Sequence, residues 1–362
     1  MRWSLNLGKI FGIRILVHWT FLILIAWVVF RELSRGSTTA TTIITVAFIL
    51  VIFLCVVLHE LGHALAARRY GIETRKITLL PIGGVASLER MPEEPKKELI
   101  IAVAGPAVNV AIALILLPFV SLDLFLSKGT ESEAAFDVIS TQNFLPLLLL
   151  VNIMLVVFNA IPAFPMDGGR ILRALLAMKL DRVKATKIAA NLGQILAIGF
   201  VFAGLLINPF LILIGIFVFF GAYSENMMVQ HLELLKGYTV RDAMMTNIST
   251  IHPFESIKVA VDKLLSGSDQ DFIVEDEGKP VGLITRATLM QAIKENGTEI
   301  KANQVMQRDI ASMDINQKLP DVYTLMQKKK NSYFPVLDNG KLVGAINSEN
   351  ISEFVMVQSA LH

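Results

Sequence analysis

The sequence contains one cysteine, Cys55, which excludes an internal disulfide and any zinc knuckle built on thiolates. No basic residue stands near it in sequence, so helix packing is the expected role rather than nucleophilic chemistry. Charge is also sparse: 18% of the 362 residues are Asp, Glu, Lys or Arg, against about 25% in ordinary soluble domains. The net charge is only +2, and the Lys and Arg residues are sorted by loop, so no pooled patch for nucleic acid is expected. The first apolar run lacks a small-residue cleavage site after it and reads as a retained span rather than a signal peptide. What the chain has in abundance is apolar surface. It is 54% hydrophobic with a mean hydropathy of +0.58, concentrated before about residue 230. These features predict a polytopic α-helical membrane protein of about six transmembrane helices followed by a soluble tail.

The unbroken apolar run from Ile43 to Ala67 carries His59, Glu60 and His63. Two imidazoles four residues apart lie one turn apart on one helix face and can grip a single divalent metal, most often zinc. Glu60, beside the first ligand, is better placed to deprotonate a metal-bound water than to bind the metal, the division of labour behind H-E-x-x-H. Two hydrogen-bonded histidines in a bundle interior are the bland alternative. That reading leaves Glu60 unexplained at a depth where a carboxylate is costly.

Along the chain, Met1 to Arg14 reads as a short basic segment, and Ile15 to Phe30 as the first span, with His18 and Trp19 at its edge. The metal helix is the second. Arg68, Arg69, Arg75, Lys76, Arg90, Lys96 and Lys97 then mark a cytoplasmic loop. Inside it, Ile77 to Leu88 (I-T-L-L-P-I-G-G-V-A-S-L) is too apolar for a linker and too short to span, and Pro81, Gly83 and Gly84 oppose a helix. A re-entrant or membrane-associated β-hairpin is expected there. The third span, about Glu98 to Leu122, contains Gly105, Pro106 and Asn109, which suit close packing and a hydrogen bond across a helix pair. Ser121 to Asn143 is an acidic outer connection, too short for a folded domain. The fifth span, about Ile188 to Ile207, turns at Asn208 and Pro209 into a sixth ending near Gln230.

The fourth span, Phe144 to Ile161, ends in N-A-I-P-A-F-P-M-D-G-G-R, residues 159–170. Pro162 and Pro165 stop the helix, and Asp167 is left on an extended stretch at the membrane edge. A catalytic zinc site takes three protein ligands and keeps one position open, so Asp167 is the natural partner of His59 and His63; the alternative is a helix cap. At about 1.5 Å per residue, His59 lies roughly 12 Å from the Ala67 end of its helix, inside the bilayer but nearer the cytoplasm. Arg170, Arg173, Lys179, Arg182, Lys184 and Lys187 mark the loop after the fourth span as cytoplasmic, which puts both termini inside.

The H-E-L-G-H run at 59–63, I-G-G-V-A at 82–86, A-G-P-A-V-N at 104–109 and the 159–170 stretch together resemble the site-2 protease family of intramembrane zinc metalloproteases. The resemblance covers the whole membrane half, residues 1–232. It implies one zinc per chain held by His59, His63 and Asp167, with Glu60 as general base. It also implies that Asn159 helps hold the substrate or the oxyanion; Met166 is a mild substitution for the Leu usual before the Asp.

The tail repeats itself: V-E-D-E-G-K-P-V-G-L-I at 274–284 aligns with V-L-D-N-G-K-L-V-G-A-I at 336–346, and an upstream Val and Met unit recurs at Met245 and Met306. This resembles a tandem pair of cystathionine-β-synthase-type (CBS) domains, residues 237–298 and 301–358. Such a resemblance implies an adenine nucleotide or a dimerising, regulatory role. Where a nucleotide-binding unit commonly offers an Asp to the ribose, this chain has Thr288 and Asn350, with Thr285 nearby.

The reading as a whole is hydrolysis of a peptide bond within or near the transmembrane helix of a membrane-protein substrate, such as an anti-sigma factor or similar single-span regulator. Gly83 and Gly84 would let the hairpin pair with an unwound substrate strand. A CBS-gated transporter is the rival, but the first three spans and the last three show no self-similarity. An inactive receptor is a second rival, and the intact His, Glu and Asp set argues against it.

Overall fold

The computed structural model describes residues 4–81, 83–88, 92–120, 139–267, 270–328 and 333–361. Most of the acidic connection after Ser121, together with Ile82 and Arg90, lies outside them. The chain divides into two compact units, Met1–Met227 and Met228–His362.

The first unit opens with two strands, β1 (Ser4–Ile10) and β2 (Ile13–His18), then helices α1 (Trp19–Ser34) and α2 (Thr39–Arg68), and strands β3 (Thr74–Leu80) and β4 (Gly83–Leu88). The four strands form one sheet in the order β1-β2-β3-β4. β2 runs parallel to β3 with Ile15 opposite Ile77 and Val17 opposite Leu79, while the outer pairs are antiparallel. In β2 the apolar side chains alternate inward, Ile13, Ile15 and Val17, as a half-buried strand requires. They pack with Ile77 and Leu79 against Val57, Leu61 and Ala64, one stripe of α2. So Ile15 to His18, expected to begin the first span, is strand, and the helix starts at Trp19, capped by His18.

α3 (Pro95–Leu116) and α4 (Phe144–Ala160) follow, then the short α5 (Asp167–Ala177) and the long α6 (Arg182–Leu206) and α7 (Phe210–Leu234). Among the described residues four helices are long and apolar enough to cross a membrane: α2, the stretch Pro95–Phe119, α6 and α7. α4, with 17 residues, and α1, with 16, are shorter. Large apolar side chains on α6 and α7, among them Phe202, Leu206, Leu213 and Phe220, are exposed, as lipid-facing surfaces are.

The second unit holds two three-stranded sheets. β5 (Thr250–Ile251), β6 (Phe272–Asp276) and β7 (Lys279–Ile284) make one, and β8 (Met313–Asp314), β9 (Tyr333–Asp338) and β10 (Lys341–Asn347) the other. In each the first pairing is parallel and the second antiparallel. The repeats exchange their leading segments: Met245 bridges Ala345 of the second, and Gln307 bridges Leu283 of the first. Ile273, Leu283, Tyr333 and Ala345 close a shared core between the sheets. That exchange explains the repeated Val-Gly. A Cβ on Gly282 would collide with Met306, and one on Gly344 with the Met245 carbonyl.

Candidate metal centre

A residue advances about 100° around an α-helix, so α2 presents different faces to different neighbours. Val57, Leu61 and Ala64 face the sheet, His59 and His63 point to the far side, and Glu60 falls on the flank between them. On that flank it meets the sheet's edge: a Cβ on Gly84 would lie 2.8 Å from Glu60 Cγ and 3.1 Å from Val56 Cγ1. Only glycine lets β4 approach so closely. Gly105 plays the same part on α3, since any side chain there would run into the His63 ring.

Asp167 comes from 104 residues beyond His63. Pro162 and Pro165 end α4, and the chain crosses from Ile161 to Met166 before α5 begins at Asp167 itself. The sequence places Asp167 on an extended stretch, but the breaker-free R-I-L-R-A-L-L-A that follows Gly169 draws the helix back to it. Phe164, 1% exposed, anchors the connection against Ala189, Ala190 and Ala222.

His59 Nε2, His63 Nε2 and Asp167 Oδ2 form a triangle with every side 3.1 Å. All three residues are buried, at 7%, 3% and 6% exposure. Their other contacts fix the protons. His63 Nδ1 stands 2.7 Å from the Ile101 carbonyl, which only accepts, so Nδ1 carries the hydrogen. The His59 side is read along a chain of amides: Asn152 Nδ2 donates to the Leu148 carbonyl at 2.9 Å, which turns its Oδ1 to accept from Asn109 Nδ2 at 2.9 Å. Asn109 Oδ1 therefore accepts from His59 Nδ1 at 2.5 Å. Both Nε2 atoms are left with bare lone pairs aimed at a carboxylate oxygen. Three acceptors cannot meet at 3.1 Å in a buried site without a positive charge among them.

A proton on one ring is one way to supply that charge. Burial would then raise the Asp167 carboxyl, but the hydrogen bonds and charges of His59 and His63, helped by Arg170, outweigh it and hold the group well below the usual carboxylate range. A divalent cation fits better. Ligand bonds of about 2.0–2.1 Å in a tetrahedral site put ligand atoms roughly 3.3 Å apart, close to the triangle found here. The donor set, two imidazoles and one carboxylate with no sulfur, is that of a catalytic zinc with one position open. Arg170, 3.8 Å from Asp167 Oδ1, helps turn Oδ2 toward the imidazoles.

Glu60 has no hydrogen bond to any described residue, so its carboxylate is free to accept a proton. Asn159 ends α4 with its amide donating to the Leu155 carbonyl at 2.9 Å. Gly83 takes φ +136° at the turn into β4. In the tail, Thr285 and Asn350 sit in the N-terminal turns of equivalent helices, residues Arg286–Asn296 and Ser348–Leu361. Thr285 Oγ1 accepts from Thr288 N, Gln307 donates to the Thr288 hydroxyl, and Asn350 Oδ1 accepts from Asn347 N.

Sequence reasoning gave Asn109 a helix-pairing role, and it pairs with Asn152 while also holding His59. Asn152 itself was not singled out. Its signal is there, a lone amide within L-L-L-L-V-N-I-M-L-V-V, where an unpaired polar group would be costly. Replacing Asn109 by Ala removes the acceptor that fixes the His59 tautomer. Zinc affinity is expected to fall about 10–100-fold, as for other outer partners of metal-bound histidines, read by competition with a chromophoric chelator.

Comparison with known proteins agrees with this chemistry. Residues 47–203 match Peptidase family M50, and residues 240–295 and 302–357 each match the CBS domain. A zinc metalloprotease of Methanocaldococcus jannaschii is 36% identical over 354 residues, covering 97% of this chain and 96% of that one. A putative zinc metalloprotease of Synechocystis is 27% identical over 381 residues, covering 99% and 97%. A solved site-2 protease from Methanocaldococcus jannaschii is 41% identical, covering 62% of this chain and 95% of that one, with a TM-score of 0.44. The family match and the relative 36% identical over nearly its whole length show that the chain belongs to Peptidase family M50, the site-2 protease family of zinc metalloproteases, and carries a tandem CBS tail.

Proposed function

We propose that the protein hydrolyses a peptide bond within or next to the transmembrane helix of a membrane-protein substrate. The observation that carries this reading is the buried 3.1 Å triangle of bare ligand atoms, two of them on α2, a helix long and apolar enough to cross a bilayer. His59, His63 and Asp167 hold one zinc. A zinc held there would supply Lewis-acid chemistry for the scissile carbonyl and for the attacking water. Glu60 takes the proton of the attacking water and passes it to the leaving amine. Asn109 and the Ile101 carbonyl hold the two imidazoles in the tautomer that leaves Nε2 unprotonated, and Asn159 helps orient the substrate or its oxyanion.

A helical substrate hides its peptide bonds and must be held extended. Among the described residues β4 is the last strand of its sheet and no strand pairs with its outer edge, and Gly84 brings that strand against Glu60. This supports β4 as the platform that presents the unwound segment, with Gly83 and Gly84 keeping it clear of side chains. The first domain, residues 1–232, crosses the membrane about six times, the shorter α1 and α4 included, with the β3–β4 hairpin membrane-associated. Both termini and the CBS repeats, 237–298 and 301–358, are cytoplasmic. The exchanged repeats support a regulatory or dimerising tail, with an adenine nucleotide as its class of ligand through Thr285, Thr288 and Asn350. A single-span regulator such as an anti-sigma factor is the class of substrate.

The test is cleavage of a single-span substrate by the purified protein in detergent. Cleavage that stops when a chelator removes the metal and returns with added zinc is expected. Cleavage indifferent to chelation, in protein shown to be metal-free, would reject the reading.

A further inference from the structure

The largest fully buried side chain among the described residues is not at the metal centre. It is Arg173, at 0% exposure on α5, six residues after Asp167. Its Nε and Nη2 both donate to Glu98 Oε1, at 2.8 and 2.5 Å, and its Nη1 donates to Glu225 Oε1 at 2.5 Å. Arg182 approaches Glu98 Oε2 at 3.7 Å and donates to the Pro92 carbonyl at 2.8 Å. The Arg173 guanidinium carbon lies 4.9 Å from the centre of the Phe164 ring. Arg173 and Glu98 are thus paired in the bundle interior, on α5 and α3, with the partly exposed Arg182 of α6 and Glu225 of α7 balancing them at its edge.

Such a cluster is a poor way to gain stability. Taking the Arg173 and Glu98 charges out of water is costly, and well-packed apolar replacements of buried ion pairs are often neutral or stabilising. What a guanidinium supplies that an apolar side chain cannot is geometry, a planar fork whose hydrogen bonds fix direction as well as distance. The direction here is significant. Glu98, which receives two of the fork's N–H groups, lies on α3, the helix whose Ile101 carbonyl holds His63 and whose Asn109 holds His59. All three ligands are therefore referred to one helix, the two histidines through their Nδ1 atoms and Asp167 through α5. Phe164, under the guanidinium, belongs to the connection that delivers Asp167.

We infer that Arg173 is a positioning residue for the metal centre: by locking α5 to Glu98 on α3 and to Glu225 on α7, it sets the height and rotation at which Asp167 meets His59 and His63. This rests on the reading of those three residues as a zinc site. Lysine at 173 keeps the charge but has no fork, so it cannot hold both carboxylates in fixed directions.

The experiment uses the full chain in detergent, with Arg173→Lys and Glu225→Gln beside wild type. It reads zinc release to a chelator, the visible absorption of the cobalt(II)-substituted protein and thermal unfolding. Arg173→Lys is expected to unfold near the wild-type temperature yet release zinc about 10-fold faster, with an altered cobalt spectrum. Glu225→Gln, which leaves the Arg173–Glu98 pair intact, is expected to move both readouts in the same direction by less. A folded Arg173→Lys with wild-type zinc release and cobalt spectrum would overturn the inference; should that variant not fold, the same result from Glu225→Gln would do so. Wild-type protein that takes up neither zinc nor cobalt would instead reject the zinc site on which the inference stands.

Discussion

Changing Glu60 to Gln is expected to lower peptide cleavage by about 10²–10⁴-fold while leaving zinc content at the wild-type level, because that is the usual contribution of proton transfer by a positioned base. Glutamine has the size and polarity of the residue it replaces, so the close fit of Glu60 against Gly84 survives. It cannot accept the proton of an attacking water. Nor is Glu60 a member of the ligand triangle, which leaves the metal untouched. Single-turnover cleavage and elemental analysis of the same two samples check both halves of the statement. A variant that loses zinc along with activity would place Glu60 among the ligands rather than at the base.

Asp167→Ala should produce the opposite pairing, with activity and metal lost together. It removes the only anionic ligand and leaves two neutral imidazoles, and the loss should exceed the 10–100-fold typical of partners one step further out, so about 100-fold is a lower bound on the fall in zinc affinity. Fold should survive. The connection before α5 is pinned by Phe164 against α6 and α7, and α5 by Arg173, none of which depends on the carboxylate. Equilibrium dialysis with zinc, alongside thermal unfolding, separates metal loss from misfolding.

The pairing of His59 and His63 on one face of α2 was legible in the sequence because its geometry is local. Residues four apart on a helix share a face whatever the rest of the chain does, and an ionisable pair in an apolar run needs a purpose. Asp167 was legible for a different reason, the concentration of Pro and Gly around one carboxylate at a helix end. The strands β1 and β2 were not read. Ile15, Leu16 and Val17 run straight into the apolar start of α1, and a short apolar stretch beside a helix carries no period that separates strand from span. The same limit applies to α1 and α4, which are shorter than the roughly 20 residues of a full span.

Arg173 shows where composition misleads. In sequence it stands in a run of six basic residues and reads as one more solvated loop charge. In the fold it is buried against a carboxylate 75 residues earlier and another 52 residues later. No local pattern announces partners at that separation. Asn152 and Asn109 differ in that each is an isolated amide in an apolar run, so their need for a partner can be read although the partner cannot.

The most direct test of the account is the position of the cut. Wild-type protein in detergent is given a single-span substrate in water enriched in oxygen-18, and the products are mapped by mass spectrometry. The expected result is a new carboxyl terminus within or at the edge of the apolar segment, carrying one oxygen-18 and absent from the Glu60→Gln reaction. Cleavage only in the substrate's soluble flanks, or in equal amount from the Glu60→Gln protein, would contradict it.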